Sequence, residues 1–362
     1  MATAEVVARL HPAGVSESPA SKRAKLNSAG PAGSESLTGD ELSSVDWWEW
    51  WWNEHPEVAA ATQSARLEVA LCGGTSSATT VYGTYPMRLF VPQKTASPDA
   101  NAIWAYTSSH GGGIVSGDKT GLRVVVATGC ACVIATQGST KVYKQRLGGG
   151  EGLMPGGRAV QALAGTVQSG SLLALLPDPI ACFENSSFRQ VQRVNLLGGA
   201  SLAAVDWLVP GRVGYGSGER WAFEVYESVL QVAVEGRQVV NDPVRLERGA
   251  ELSVAEQMGA VHAMGVVLLV GPRLTETCQQ AEAVVADLGQ KYLRGGAAWI
   301  RQPPQPMPSG GRVVASSSRV PGGLMIRFAG ESTHAAYSFL QQVLSPLAAQ
   351  LGAAPYNERG LS

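Results

Sequence analysis

The sequence predicts a mainly β protein: a large body of stacked or coiled sheets that carries two α-helices late in the chain. Three observations predict it. Short runs rich in Val, Ile and Leu alternate with polar residues at the period of two that a half-buried strand requires. Glycine is abundant, at 43 of 362 residues, which suits many turns between short strands. Helical spacing of apolar residues sets in only past Pro272, so no βαβ series repeats along the chain.

The elements follow in order. Residues 1–60 read as an extension, and 61–362 as the β-rich domain. Val15 to Ser44 is rich in Ser, Ala, Gly and Pro, buries little and is expected to be disordered. Its basic run, Ser21-Lys22-Arg23-Ala24-Lys25, is ordinary for a solvated tail. Then comes Asp46-Trp47-Trp48-Glu49-Trp50-Trp51-Trp52-Asn53-Glu54, with five of the nine tryptophans in six positions. Every charged residue between Glu35 and Glu57 is acidic. Such a segment folds back on the body as an apolar clasp, docks a partner, or is an artefact of gene assembly.

Arg66 to Leu71 alternates as a strand should. Leu122 to Val126 and Cys132 to Ala135 are rich in β-branched residues, and the glycine between them, Gly129, predicts a hairpin. Arg189 to Leu196 is a looser strand. Arg220 to Glu227 predicts another, with Trp221, Phe223 and Val225 on one face; Leu230, Val232 and Val234 continue it or form a second. Pro272 should open a helix whose face carries Leu274, Cys278, Ala281, Val285, Leu288 and Tyr292. A short strand pair is expected near Val313 and Met325. The last helix should start at Ser332 or Thr333 and be kinked or divided at Pro346.

Composition excludes several functions. A net charge of -1 gives no electrostatic basis for binding nucleic acid. No stretch approaches the roughly 20 apolar residues that span a bilayer. Five scattered cysteines do not form a secreted disulfide framework, and no secretory signal opens the chain, so a cytoplasmic location is expected.

Enzyme motifs are missing. None of His11, His55, His110, His262 and His334 pairs with another at zinc-ligand spacing. Cys130 and Cys132 would face one way on a strand and could meet a soft metal, though small core residues are the commoner use. Gly117-Asp118-Lys119-Thr120 approaches a phosphate loop, but Asp118 interrupts it and would repel phosphate. No catalytic residue and no tightly bound cofactor is assigned. Two alternatives stay open: a β-rich hydrolase using distant carboxylates, or an adaptor that ignores metal.

Several segments carry a resemblance. They are Gly112 to Asp118, Thr136-Gln137-Gly138-Ser139-Thr140-Lys141-Val142-Tyr143, Leu176-Pro177-Asp178-Pro179, and Val205-Asp206-Trp207 with Gly211-Arg212 and Gly218-Glu219-Arg220-Trp221. Arg327 to Gly330 and Pro355-Tyr356 complete the series. In this order, from about Arg66 to Tyr356, the chain resembles the UreD (UreH) urease accessory proteins. The Trp-rich head and the segment from Glu151 to Ala164 look like additions to that pattern. The resemblance implies a β fold with two helices and a scaffold without catalytic groups. It implies binding to apo-urease, recruitment of UreF- and UreG-like partners, and GTP-dependent nickel insertion. The residues themselves add less. Asp206, Arg212, Glu219 and Arg220 could form one charge network, and Asp178 sits in a rigid turn between prolines. Any nickel contact is expected to be weak and transient, along a polar path with Asp118, Asp178, Asp206 and Glu219 as candidates.

Overall fold

The computed structural model of the chain describes residues 61, 64–92, 101–144, 157–214, 218–295 and 311–357. The expected extension, 1–60, lies outside them. Two mixed sheets form the body. The first has seven strands: β2 (Thr75–Gly83), β1 (Ala65–Cys72), β5 (Lys119–Val126), β8 (Ala159–Val167), β11 (Ser187–Leu196), β13 (Val225–Val234) and β14 (Arg237–Glu247). The second runs β3 (Met87–Phe90), β4 (Ala102–Ser109), β6 (Ala131–Thr136), β9 (Leu172–Leu176), β12 (Ser201–Val209), β15 (Ala263–Val270), β17 (Gly323–Gly330) and β16 (Val313–Val320). The short strands β7 (Thr140–Val142) and β10 (Ile180–Cys182) extend it beside β12.

The chain winds between the sheets. β5, β8, β11 and β13 lie parallel in the first, and β6, β9 and β12 lie parallel in the second. Successive strands therefore alternate from sheet to sheet, as a coil does. The expected hairpin across Gly129 is overturned: the two strands it joins belong to different sheets. Gly129 (φ 74°) and Gly170 (φ 64°) take the left-handed conformation these sharp crossings need. The crossings stack, with Gly129 N–H on the Ser169 carbonyl at 3.0 Å and Gly170 N–H on the Gly198 carbonyl at 3.1 Å.

Central strands such as Leu172–Leu176 are buried on both faces, as parallel strands of a covered sheet must be. Leu67, Val124 and Val194 of one sheet pack against Cys132, Leu173 and Leu202 of the other. Residues from Ala159 are no addition: β8 is the central strand of its sheet.

Arg220 to Glu224 is not strand. Trp221 takes φ 54°, its indole N–H donates to the Val261 carbonyl at 2.9 Å, and the strand begins at Val225. From there it runs unbroken to Val234, with a bulge against β14 after Val232, as the continued alternation predicts.

The helices are few and mostly late. An unforeseen short one, α1 (Val254–Met258), has a capping box formed by Ser253 and Glu256. α2 (Thr275–Gly295) follows a 3₁₀ turn at Pro272. The final helix is divided at Pro346 into α3 (Thr333–Leu344), capped by Ser332, and α4 (Leu347–Leu351). Leu274, Cys278, Ala281, Leu340, Val343 and Leu347 cover the outer face of the second sheet. None of the described helices is long and apolar enough to cross a membrane.

Candidate functional site

The layer between the sheets changes character along the strands. Near the Gly129 and Gly170 crossings, inward positions are apolar: Cys132 and Ile134 on β6, Leu173 and Leu175 on β9, Leu202 and Ala204 on β12. One more alternation brings Thr136 and Asp206, while β8 and β11 offer Gln161, Gln190 and Gln192 from the facing sheet. Together with Asp178 these line an internal cavity of about 70 Å³. A polar cavity of that size can hold ordered water.

Asp206 is 8% exposed. Gln190 Nε2 donates to its Oδ1 at 3.0 Å, and the Ser228 hydroxyl donates to Oδ2. Burial nevertheless pushes its pKa up to about 6, and the nearby Asp242 charge adds to the rise. Gly265 on β15 lets Asp206 and Trp207 approach closely: a Cβ there would stand 2.6 Å from the Asp206 carbonyl oxygen.

Asp178 is 4% exposed. Gly138 N–H donates to Oδ2 at 3.0 Å, the Tyr337 hydroxyl donates to Oδ1 at 2.9 Å, and Asp178 N–H donates to Thr136 Oγ1 at 2.8 Å. The preceding Pro177 carbonyl accepts from Trp207 Nε1 at 2.9 Å and from the Tyr356 hydroxyl at 3.0 Å. The C-terminal aromatics thus hold the turn that carries Asp178.

The other two candidates stand apart. Asp118 closes a surface turn by accepting from Val115 N–H at 3.0 Å. Glu219 is ion-paired to Arg212, whose Nε donates at 2.9 Å, and this pairing holds its carboxyl below the usual range. The Arg212 guanidinium lies 4.5 Å from the Phe183 ring centroid. The single charge network expected from the sequence is therefore split. Arg212 pairs with Glu219, Asp206 faces the cavity, and Arg220 turns to His262 at 3.1 Å and to the Val261 carbonyl at 3.0 Å.

Arg212 and His262 line an open groove of about 780 Å³ with Lys141, Tyr143, Glu331 and Thr333. His262 Nδ1 donates to the Glu331 carbonyl at 3.0 Å and its Nε2 accepts from Arg220, an arrangement that needs the neutral ring. Burial first, and then the Arg220 charge, lower its pKa.

The Cys130 and Cys132 thiols are packed in the inter-sheet core, and burial pushes both pKa values up. That keeps them neutral, the form least suited to a metal. Among the described residues no group of three or more His, Cys, Asp or Glu side chains is placed to hold a metal ion.

Sequence reasoning singled out Asp178 and Asp206 but missed Gln161, Gln190, Gln192 and Tyr337. The polar positions 190 and 192 in an otherwise strand-like run are the signal that could have found two of them.

Comparison with known proteins matches the same stretch of chain. The family description "UreD urease accessory protein" fits residues 61–360. A "Urease accessory protein D" of Oryza sativa subsp. indica is 35% identical over 308 residues, covering 83% of this chain and 96% of the rice protein. A "Urease accessory protein UreD" of Anaeromyxobacter sp. is 34% identical over 301 residues, covering 83% and 91%. A "Urease accessory protein D" of Arabidopsis thaliana is 33% identical over 304 residues, covering 81% and 99%. With the family pattern spanning nearly all of the coiled β body and its helices, the chain belongs to the UreD family of urease accessory proteins.

Proposed function

We propose that this protein is a non-catalytic scaffold for urease maturation. It binds apo-urease and recruits UreF- and UreG-like partners, so that GTP hydrolysis accompanies nickel insertion into the urease active site. Membership of the family carries this reading, and the internal cavity between Asp178 and Asp206 gives it a physical route. Both carboxylates accept from neutral donors, and among the described residues no group of three or more His, Cys, Asp or Glu side chains is gathered around them. Such a site can solvate a divalent cation in passing without trapping it, because tight sites collect several ligands in one small volume. Asp118 and Glu219, though candidates by sequence, are occupied by a turn and an ion pair away from the cavity.

A hydrolase is less well supported. A glycosidase needs its carboxyl pair roughly 5–9.5 Å apart astride a bound sugar. Asp178 and Asp206 are instead almost wholly buried between two sheets.

The test is reconstitution of apo-urease with UreF- and UreG-like partners, GTP, bicarbonate and nickel, with and without this chain. Urease activity and bound nickel are read together. Activation that depends on the chain is expected; equal activation without it would remove the scaffold role.

A further inference from the structure

β16 (Val313–Val320) ends the second sheet: β17 pairs with one side of it, and among the described residues no strand pairs with the other. In a strand covered on one face, buried and exposed side chains alternate. Here Ser316, Ser317, Ser318 and Arg319 are exposed in succession, so both faces are open to water along this stretch. The other end strands each carry a device that blocks further pairing. β3 has only four residues, β14 carries Pro243 and a bulge, and β2 is bulged against β1. β16 has no proline and stays in register with β17 through all eight of its residues. Its single charge, Arg319, is taken up by Glu282 of α2 at 2.6 Å. Val313 and Ala315 pack against the helix-covered core, and Val320 against the inter-sheet core. Both ends of the strand are therefore fixed, and its free edge is held straight before anything pairs with it.

The sequence of this edge complements itself. Antiparallel pairing of two copies about a two-fold axis at Ser317 sets Ser316 opposite Ser318, Ala315 opposite Arg319 and Val314 opposite Val320. Small side chains at the centre let the two backbones approach, and facing serine hydroxyls add hydrogen bonds. No charge stands opposite a like charge. The two Arg319 side chains lie four positions apart along the strands, roughly 13 Å, and each keeps its own Glu282. A two-fold contact closes on itself, so it ends at a dimer instead of growing into a fibre. We infer that a second copy of this chain pairs with β16 antiparallel about Ser317, making one continuous sheet across the two molecules. A single strand edge is small beside the roughly 800 Å² that each partner buries in a stable interface. The dimer is accordingly weak and depends on concentration.

The experiment uses the full chain in sedimentation velocity over a wide range of protein concentration. The unsubstituted chain should pass from monomer to dimer, with no larger species. Ser317 is exposed, so Ser317→Lys and Ser317→Glu leave the core untouched. Each substitution sets a like charge against its own copy at the axis. Each variant alone should therefore dimerise on the order of fivefold more weakly than the unsubstituted chain. An equal mixture of the two should recover dimers, because Lys then faces Glu. A folding defect cannot produce that recovery, since both components of the mixture would carry it. Three outcomes overturn the proposal. One is a chain that stays monomeric throughout, whether or not a partner's strand takes the edge when one is added. Another is dimerisation that neither variant weakens, which places the contact elsewhere. The third is weakening by both variants without recovery on mixing, which removes Ser317 from the axis. None of these readouts involves urease or nickel, so failure here leaves the scaffold reading standing, and failure of that reading leaves this one.

Discussion

The two ends of the layer between the sheets are built from the same strands yet differ in chemistry. At the end near the crossings, Val124, Leu173, Val194 and Leu202 close an apolar core. At the other, Thr136, Gln161, Gln190, Asp178 and Asp206 leave a small polar cavity. The alternation that points a side chain inward is identical at both, so backbone geometry does not explain the difference. Stability does not explain it either, because burying a carboxylate is unfavourable compared with an apolar side chain of similar volume. The apolar end accounts for the fold; the polar end costs stability, and the proposed passage of a cation is what the variants below test.

The largest expected effect separates the two ends. Leu173→Ala removes a wholly buried side chain at the apolar end and should lower stability by roughly 2–5 kcal/mol in urea denaturation. Urease activation per folded molecule should be unchanged. Asp178→Asn and Asp206→Asn should do the reverse. Complexes still assemble, but nickel loading falls on the order of tenfold, equivalent to about 1.4 kcal/mol. Normal loading by both variants would disconnect the cavity from nickel and leave only the scaffold.

A smaller effect concerns pH. Folding raises the Asp206 pKa from an ordinary value near 3.9 to about 6. The native state therefore holds a proton that the unfolded chain has already released between those values. The contribution of Asp206 is fully present below about pH 4 and is lost as pH rises to about 6, on the order of 2–3 kcal/mol. His262 acts in the opposite direction, since its lowered pKa supports the fold above its ordinary value near 6.5 and withdraws that support as pH falls. Urea titrations across pH 4–7 should show the Asp206 slope disappear in Asp206→Asn while the His262 slope remains.

The polar end was partly legible in the sequence, and the coil was not. Asp178 and Asp206 stand out because a carboxylate between prolines, or between Val205 and Trp207, violates its local pattern. Gln190 and Gln192 do not stand out, because polar residues at alternate positions also describe an ordinary half-exposed strand. Only the facing sheet turns that alternation into a cavity wall. The crossing at Gly129 looked like a hairpin because a glycine turn between two β-branched runs has the same local signature. Whether the next strand returns to its neighbour or crosses to the other sheet depends on pairings some 40 residues away, such as Val124 with Gly165. The late helices were legible because Pro272, Ser332 and Pro346 mark their ends by local chemistry alone.

The smallest expected effect tests whether carboxylates matter by type or by place. Asp118 belongs to a segment as family-like as those of Asp178 and Asp206, and by sequence alone the three were equal candidates. Its carboxylate, however, accepts only from Val115 N–H among the hydrogen bonds described, and the Asp118 N–H returns to the Val115 carbonyl at 3.1 Å. That is a turn closed on itself, partly exposed to solvent. Asp118→Ala should therefore cost no more than about 1 kcal/mol, the worth of one partly exposed hydrogen bond. Nickel loading should match the unsubstituted chain within error. Asp118→Asn, which keeps an acceptor, should restore even the small stability loss. If Asp118→Ala instead abolishes loading while the complex assembles, the path runs along the surface turn, and the assignment of the route to the inter-sheet cavity is wrong.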